Sequence, residues 1–413
     1  MGMTLHSTFD LAALRRAVER AEALGGLSAR GPARFSDYES FSREVPAMSR
    51  AGFAALSEAV FLSRRTERFH VGTSSSTGGA PKLILSRANV KPADRSAADV
   101  DLIASLRRGE VFRPEDVVAN LFSVDQFSLL HHAACSIAEA CGADVVPVGR
   151  IEAGPSGHAQ LTQLARMNVN VLFGTPSSLI QIANLCGSSG VKLAVERVVF
   201  TGEGLGEAKR RWLRSALGAH VVFRGLYGLS ECGFIGLDGR GDEVYDVRES
   251  AYFMEVDPSG RLLATSLDDK APVPVLRYPT GDSAVLETEQ GRCLIKNIRR
   301  AGAEFNYMGN LVSYDRLKTL VTSAAGHTDY SMQVELLTDE RGIDQLIVHI
   351  LEQGAGERRR EQVLEALGEV PELREGAEKG AGRIAVRVSD LRGAALTPRL
   401  KEALIIDRRL GRP

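Results

Sequence analysis

The chain has 413 residues, 44% of them apolar and 25% charged, with a formal net charge of -1. That length exceeds one ordinary core, so two or more units are expected. The near-neutral balance excludes the basic field of a nucleic-acid binder, and no run of about 18 apolar residues suggests a membrane span.

Met1 to Arg20 lacks the basic-then-apolar pattern of a secretion signal. Cys135, Cys141, Cys186, Cys232 and Cys293 are scattered and never form C-x-x-C. Reduced thiols and a cytoplasmic location are therefore expected. The histidines make no chelating cluster, so no structural metal site is expected.

In chain order, Leu11, Leu14, Val18, Ala21 and Leu24 recur at helical spacing before Gly25-Gly26, which predicts a helix over Asp10–Leu24 with a glycine stop. A second helical piece is expected over Arg50–Leu62. The stretch Val71-Gly72-Thr73-Ser74-Ser75-Ser76-Thr77-Gly78-Gly79-Ala80-Pro81-Lys82 follows. Small residues let backbone N–H groups approach a polyanion, the hydroxyls add donors and the lysine adds charge. It is not a Walker loop, and by itself it reads equally well as a flexible surface loop.

Short apolar runs then alternate with helical periods. Strands are expected at Asp116–Phe122, Asp144–Val148, Val169–Phe173, Arg197–Phe200 and His220–Phe223, with helices at Leu129–Cys141, Ser178–Leu185 and Gly206–Leu217. This alternation predicts a largely parallel α/β sheet, with ligands beyond the carboxyl ends of its strands. Loops at Gly174-Thr175-Pro176-Ser177, Thr201-Gly202-Glu203-Gly204 and Gly225-Leu226-Tyr227-Gly228 would converge there. After Glu249 the pattern changes to β-hairpins. Past Gly302 a smaller α+β unit is expected, with a hairpin over Met332–Leu337 and Gln345–Leu351, a helix over Arg358–Leu367 and a strand over Arg383–Val388. The division expected is thus 1–300 and 301–413.

Two more segments carry chemistry. Gly225-Leu226-Tyr227-Gly228-Leu229-Ser230-Glu231-Cys232-Gly233 sets an aromatic, a hydroxyl and a carboxylate on a glycine-bracketed turn. These can cover a purine, donate to a phosphate and hold Mg²⁺. Arg277-Tyr278-Pro279-Thr280-Gly281-Asp282 offers a carboxylate that can accept from two ribose hydroxyls, and Arg299-Arg300 can add a sugar or phosphate contact.

The order and spacing of these three segments resemble the adenylate-forming superfamily over about residues 35–413, and their details resemble its phenylacetate–CoA ligase branch. Aligned on Pro81-Lys82, two positions depart from the family's phosphate loop, Ser76 standing for a glycine and Gly78 for a threonine; the alternative is one inserted residue. The resemblance implies a large α/β adenylate-forming domain with a β-hairpin part, and a small mobile α+β domain. It implies that Thr73, Ser74, Ser75, Ser76, Thr77 and Lys82 grip the phosphates of ATP, and that Gly202, Glu203 and Gly204 run along the adenine. Tyr227 would stack on the base, Gly228 would belong to the nucleotide site, Ser230 would touch the α-phosphate, and Glu231 would bind Mg²⁺. Asp282 and Arg300 would hold the ribose. In Thr397-Pro398-Arg399-Leu400-Lys401, Lys401 falls on the family's catalytic lysine, beside the alternative of a solvated side chain. The family's acidic hinge residue is replaced by Gly302.

The acyl pocket is expected to draw on Asp125, Phe127, His131 and Gly225. Asp125 resembles the aspartate that binds an amino-acid substrate's amine, but it also reads as a strand-end or helix-capping residue. His131 and His132 fall near an aromatic gate, or are simply satisfied histidines. The implied reaction forms an acyl-adenylate from a small carboxylic acid and ATP, then a thioester. Coenzyme A ranks first as acceptor and a carrier protein's phosphopantetheine second. A catalytically idle nucleotide-binding relative is the rival from another class.

Overall fold

The computed structural model describes residues 2–25, 34–63, 68–74, 82–87, 91–124, 127–152, 154–300, 304–307, 310–338, 344–352, 357–370, 373–374, 382–396 and 402–409. Its largest element is a twelve-stranded sheet. Five strands run parallel in the spatial order Asp144–Pro147, Val117–Asn120, Val171–Gly174, Arg197–Thr201 and Val222–Leu229. Val171–Gly174 and Arg197–Thr201 are buried at every position, as expected of parallel strands covered on both faces.

The helices between the strands supply that cover. Pro155–Arg166, Pro176–Ser189 and Glu207–Leu217 enclose one core, around Leu161, Leu179, Val198 and Leu213. Ala97–Arg108 and Leu130–Cys141 enclose the other, around Leu106, Ile137 and Phe173. Their starts are legible as capping chemistry. Ser96 and Asp99 form a capping box, and the Thr175 side chain accepts from the Ser178 N–H at 3.2 Å ahead of Pro176. Beneath the sheet Arg197 holds Asp116 with two bonds of 2.7 and 2.5 Å, almost wholly out of water.

The hairpins expected after Glu249 are present and continue this same sheet. Gly233–Asp238 pairs antiparallel with Val222–Leu229, and Tyr245–Val247, Arg292–Arg300, Tyr278–Glu289, Arg261–Ser266 and Tyr252–Val256 follow outward. Burial alternates along Tyr278–Glu289, the mark of a sheet with one face covered. The strand expected to stop at Phe223 runs on to Leu229. Its glycines are there for close packing: a Cβ on Gly225 would lie 2.9 Å from Phe200 Cζ and 3.1 Å from Asp238 Cβ.

A separate hairpin, Phe69–Thr73 with Leu83–Arg87, carries the hydroxyl-rich loop at its tip. The Ser74 N–H donates to the Lys82 carbonyl at 2.9 Å and closes the loop's base. At the C-terminal end, Gly382–Ser389, Asp344–Leu351, Ser331–Thr338 and Ile405–Asp407 form a four-stranded sheet. Tyr314–Ala325 and Glu357–Gly368 pack on it over a core that includes Leu317, Val334, Val348 and Leu367.

Candidate active site

Between the carboxyl ends of the parallel strands, the hairpin of Phe69–Thr73 and Leu83–Arg87, and the C-terminal unit lies a cleft of about 2980 Å³. Single-ligand pockets are roughly 300–1,000 Å³, so this space has room for more than one reactant. The strand order reverses between Val117–Asn120 and Val171–Gly174, where ligands of open α/β sheets bind.

On one wall, Lys82, Glu231 and Tyr278 meet. Lys82 Nζ makes an ion pair with Glu231 Oε1 and donates to the Tyr278 hydroxyl at 2.8 Å. That hydroxyl donates in turn to Glu231 Oε1 at 2.8 Å. Burial pushes the Glu231 carboxyl up, but Lys82 and Tyr278 outweigh it and hold its pKa below the ordinary value. Glu231 is thus an ionised carboxylate in a cleft, with both contacts on one oxygen. Mg²⁺ usually takes one or two carboxylates besides substrate phosphates and water, so a single such carboxylate fits it. No cluster of three or more metal-ligating side chains is found among the described residues.

On an adjoining wall, the Tyr227 hydroxyl donates to Asp282 Oδ2 at 2.9 Å. Burial and the Asp282 charge push the phenol's pKa well up, which keeps the hydroxyl a donor. Asp282 is also placed by its own N–H, which donates to Thr280 Oγ1 at 3.1 Å. Its backbone lies opposite Arg300 across two paired strands.

Other expected site residues take a range of positions. Thr73, Ser74, Gly202, Glu203, Gly204, Gly228, Ser230 and Phe127 line the cleft. Glu203 turns aside, accepting from Ser177 Oγ at 2.7 Å and from the Glu402 N–H at 2.9 Å. Tyr227 and Gly228 lie in a strand, not on the expected turn, because Gly228 passes so close to Gly233 that a Cβ there would sit 2.4 Å from its carbonyl oxygen. Gly225 faces away into the Phe200, Asp238 and Tyr245 packing. His131 is tied by Nδ1 to the Phe122 carbonyl at 2.6 Å, and its neighbour His132 lines the cleft, its ring centroid 3.8 Å from that of His70 with the planes tilted by 38°. Burial, then His70 and His131, lower the His132 pKa. Phe127 is 76% exposed. Ser75, Ser76, Thr77, Asp125, Gly302 and Lys401 lie outside the described residues.

Sequence reasoning assigned no role to Tyr278, although it stands inside the Arg277–Asp282 motif. It also missed Ser177, Lys209 and Glu402; a loop serine and charged helix residues carry no local signal of a shared partner. The lining also includes Phe122, Ile137, Leu226 and Phe234, apolar side chains of one packed cluster. A lysine, hydroxyl-bearing side chains, an ionised carboxylate and a second buried carboxylate beside apolar side chains are groups that can seat a nucleotide next to an organic acid. Among the described residues, no helix is long and apolar enough to cross a membrane.

No family model matches the chain. It is 31% identical over 373 residues to the indoleacetate–lysine synthetase of Pseudomonas savastanoi, an alignment that covers 90% of this chain and 92% of that one. Its fold is similar to 2-hydroxyisobutyryl-CoA ligase with a bound acyl-adenylate in the postadenylation state, at a TM-score of 0.65 and 18% identity over 97% of this chain and 89% of that one. The same ligase with coenzyme A in its thioesterification state is similar at a TM-score of 0.54 and 18% identity over 97% and 90%. The chain belongs to the adenylate-forming ligases, in the family of indoleacetate–lysine synthetase.

Proposed function

We propose that this ligase activates a small, largely apolar carboxylic acid of the arylacetate kind and passes its acyl group to the amine of an amino acid. In the first step a carboxylate oxygen attacks the α-phosphorus of ATP, and the bond to the pyrophosphate oxygen breaks. In the second, an amine nitrogen attacks the acyl carbon, AMP leaves and the amine gives up a proton.

The observation that carries this reading is the convergence of Lys82, Tyr278 and Glu231 with the Tyr227–Asp282 pair around one cleft. Lys82 with Thr73 to Thr77 would take the phosphates, Ser230 the α-phosphate and Asp282 with Arg300 the ribose. Gly202 to Gly204 would border the base. Glu231 would hold Mg²⁺, which supplies charge neutralisation at the phosphates. Lys401 would stabilise the charge that develops on carboxylate and α-phosphate. The 301–413 unit would carry that lysine as a mobile domain. The apolar side chains in the lining suit a ring-bearing acid, and an acceptor amine must be neutral to attack. The resemblance alone ranked coenzyme A first; the relative named for indoleacetate and lysine moves an amine ahead of it.

The test is pyrophosphate release with a panel of aryl, aliphatic and amino acids, each with lysine, other amino acids, coenzyme A or no acceptor, and product masses read out. Acid-dependent release with an amide product is expected. Thioester as the sole product would overturn the acceptor, and the absence of acid-dependent release would overturn adenylation.

A further inference from the structure

The turn that carries Glu231 is held from behind by buried groups that the candidate site has not yet used. Ser230, Glu231 and Cys232 link strands Val222–Leu229 and Gly233–Asp238, and the Cys232 N–H donates to the Leu229 carbonyl at 3.2 Å. The Tyr252 hydroxyl donates to the Cys232 carbonyl at 2.5 Å, on the residue next to Glu231. Tyr252 opens strand Tyr252–Val256 and is 6% exposed. Burial pushes its phenol pKa up, so the hydroxyl stays protonated and able to donate.

Arg248 fixes Tyr252 in turn. Its carbonyl accepts the Ala251 and Tyr252 N–H groups, both at 2.9 Å, and its guanidinium lies 5.7 Å from the centre of the Tyr252 ring. That guanidinium is itself out of water. It donates from Nε to Asp101 at 3.1 Å, from Nη1 to the Phe234 carbonyl at 2.7 Å and from Nη2 to the Ala98 carbonyl. Ala98 and Asp101 belong to helix Ala97–Arg108, and Phe234 to the strand that leaves the turn. A buried cation with a charge partner and two carbonyls is costly to displace, so the Glu231 turn is tied to that helix at both Cys232 and Phe234.

We propose that Tyr252 is a positioning residue for Glu231: by fixing the Cys232 peptide it sets how the neighbouring carboxylate faces the cleft, with Arg248 as its anchor to helix Ala97–Arg108. Lys82 and Tyr278 hold the far end of the Glu231 side chain; Tyr252 holds the backbone from which it projects. The inference rests on the Mg²⁺-holding role proposed above for Glu231.

The experiment compares Tyr252→Phe, Glu231→Gln and the double variant of the full chain. It measures acid-dependent exchange of pyrophosphate into ATP and calorimetric binding of ATP, each over a range of Mg²⁺, beside a thermal melt. Tyr252→Phe keeps the buried ring and removes one hydroxyl. It should lower kcat/KM for ATP by about three- to tenfold, as loss of one neutral hydrogen bond does. The Mg²⁺ needed for half-maximal exchange should rise by a similar factor, with KM for the acid unchanged. In the Glu231→Gln background the same substitution should cost less than about twofold, because no carboxylate is left to aim. Equal losses with and without Glu231 would reduce Tyr252 to a structural role, and a raised KM for the acid at unchanged Mg²⁺ dependence would make it a direct substrate contact; either overturns the proposal, as would exchange equal to wild type. If wild type binds ATP but shows no acid-dependent exchange, the adenylation reading falls and the binding curves decide the positioning alone. A Mg²⁺ dependence of ATP binding shifted in Tyr252→Phe would then uphold it, and an unshifted one would refute it.

Discussion

Tyr278→Phe isolates one hydroxyl in the candidate site. The ring is 2% exposed and packs on Phe53 with centroids 5.6 Å apart, so phenylalanine keeps the shape. What disappears is the donor to Glu231 Oε1 and the acceptor for Lys82 Nζ, both at 2.8 Å. Hydrogen bonds to charged groups contribute roughly 1.5–3 kcal/mol. If the reaction uses that orientation in full, kcat/KM for ATP falls by about ten- to a hundredfold, at about 1.4 kcal/mol per factor of ten. The assay is acid-dependent exchange of labelled pyrophosphate into ATP at varied Mg²⁺, beside a thermal melt. Expected are the lower kcat/KM, a higher Mg²⁺ requirement and a Tm lowered by only a few degrees, too little to unfold the enzyme in the assay. Exchange within about twofold of wild type would refute the orienting role, as would a loss matched by unfolding.

Three further outcomes are expected. Glu231 has a lowered pKa, so its pairing with Lys82 stabilises the fold fully above the ordinary carboxylate value of 4.5 and loses that effect as pH falls below it. The Tm advantage of wild type over Glu231→Gln should therefore shrink between pH 7 and acid, and a gap independent of pH would contradict the pairing. Asp116→Asn strips the buried Arg197 of its charge partner and should cost about 3–5 kcal/mol in urea unfolding; a loss below about 1 kcal/mol would show the pair to be solvated. Gly72→Ala places a Cβ 2.4 Å from the Phe127 carbonyl oxygen and 2.5 Å from Leu129 Cγ, so the hairpin of Phe69–Thr73 and Leu83–Arg87 must shift. KM for ATP should rise several-fold with little change in Tm, and an unchanged KM would separate that hairpin from nucleotide binding.

The alternation of strands and helices from Val117 to Val222 is legible in the sequence because period, capping residues and helix stops are properties of a few neighbouring residues. The motifs around Lys82, Glu231 and Asp282 are legible for the same reason, since each is a short stretch with its own chemistry. Strand ends are less so: Gly225, Tyr227 and Gly228 read locally as a turn, yet they continue a strand, because the glycines answer to Phe200, Asp238 and Gly233 brought near by the sheet. Which motifs touch was likewise decided by tertiary structure. Lys82 reaches Glu231 across 149 positions and Tyr278 across 196, and Glu203 reaches Glu402 across 199. Strand order and the seating of the C-terminal unit set those meetings, and both depend on how whole faces are buried. A local pattern therefore specifies the groups available for chemistry, and long-range packing selects which of them share a proton, a charge or a ligand.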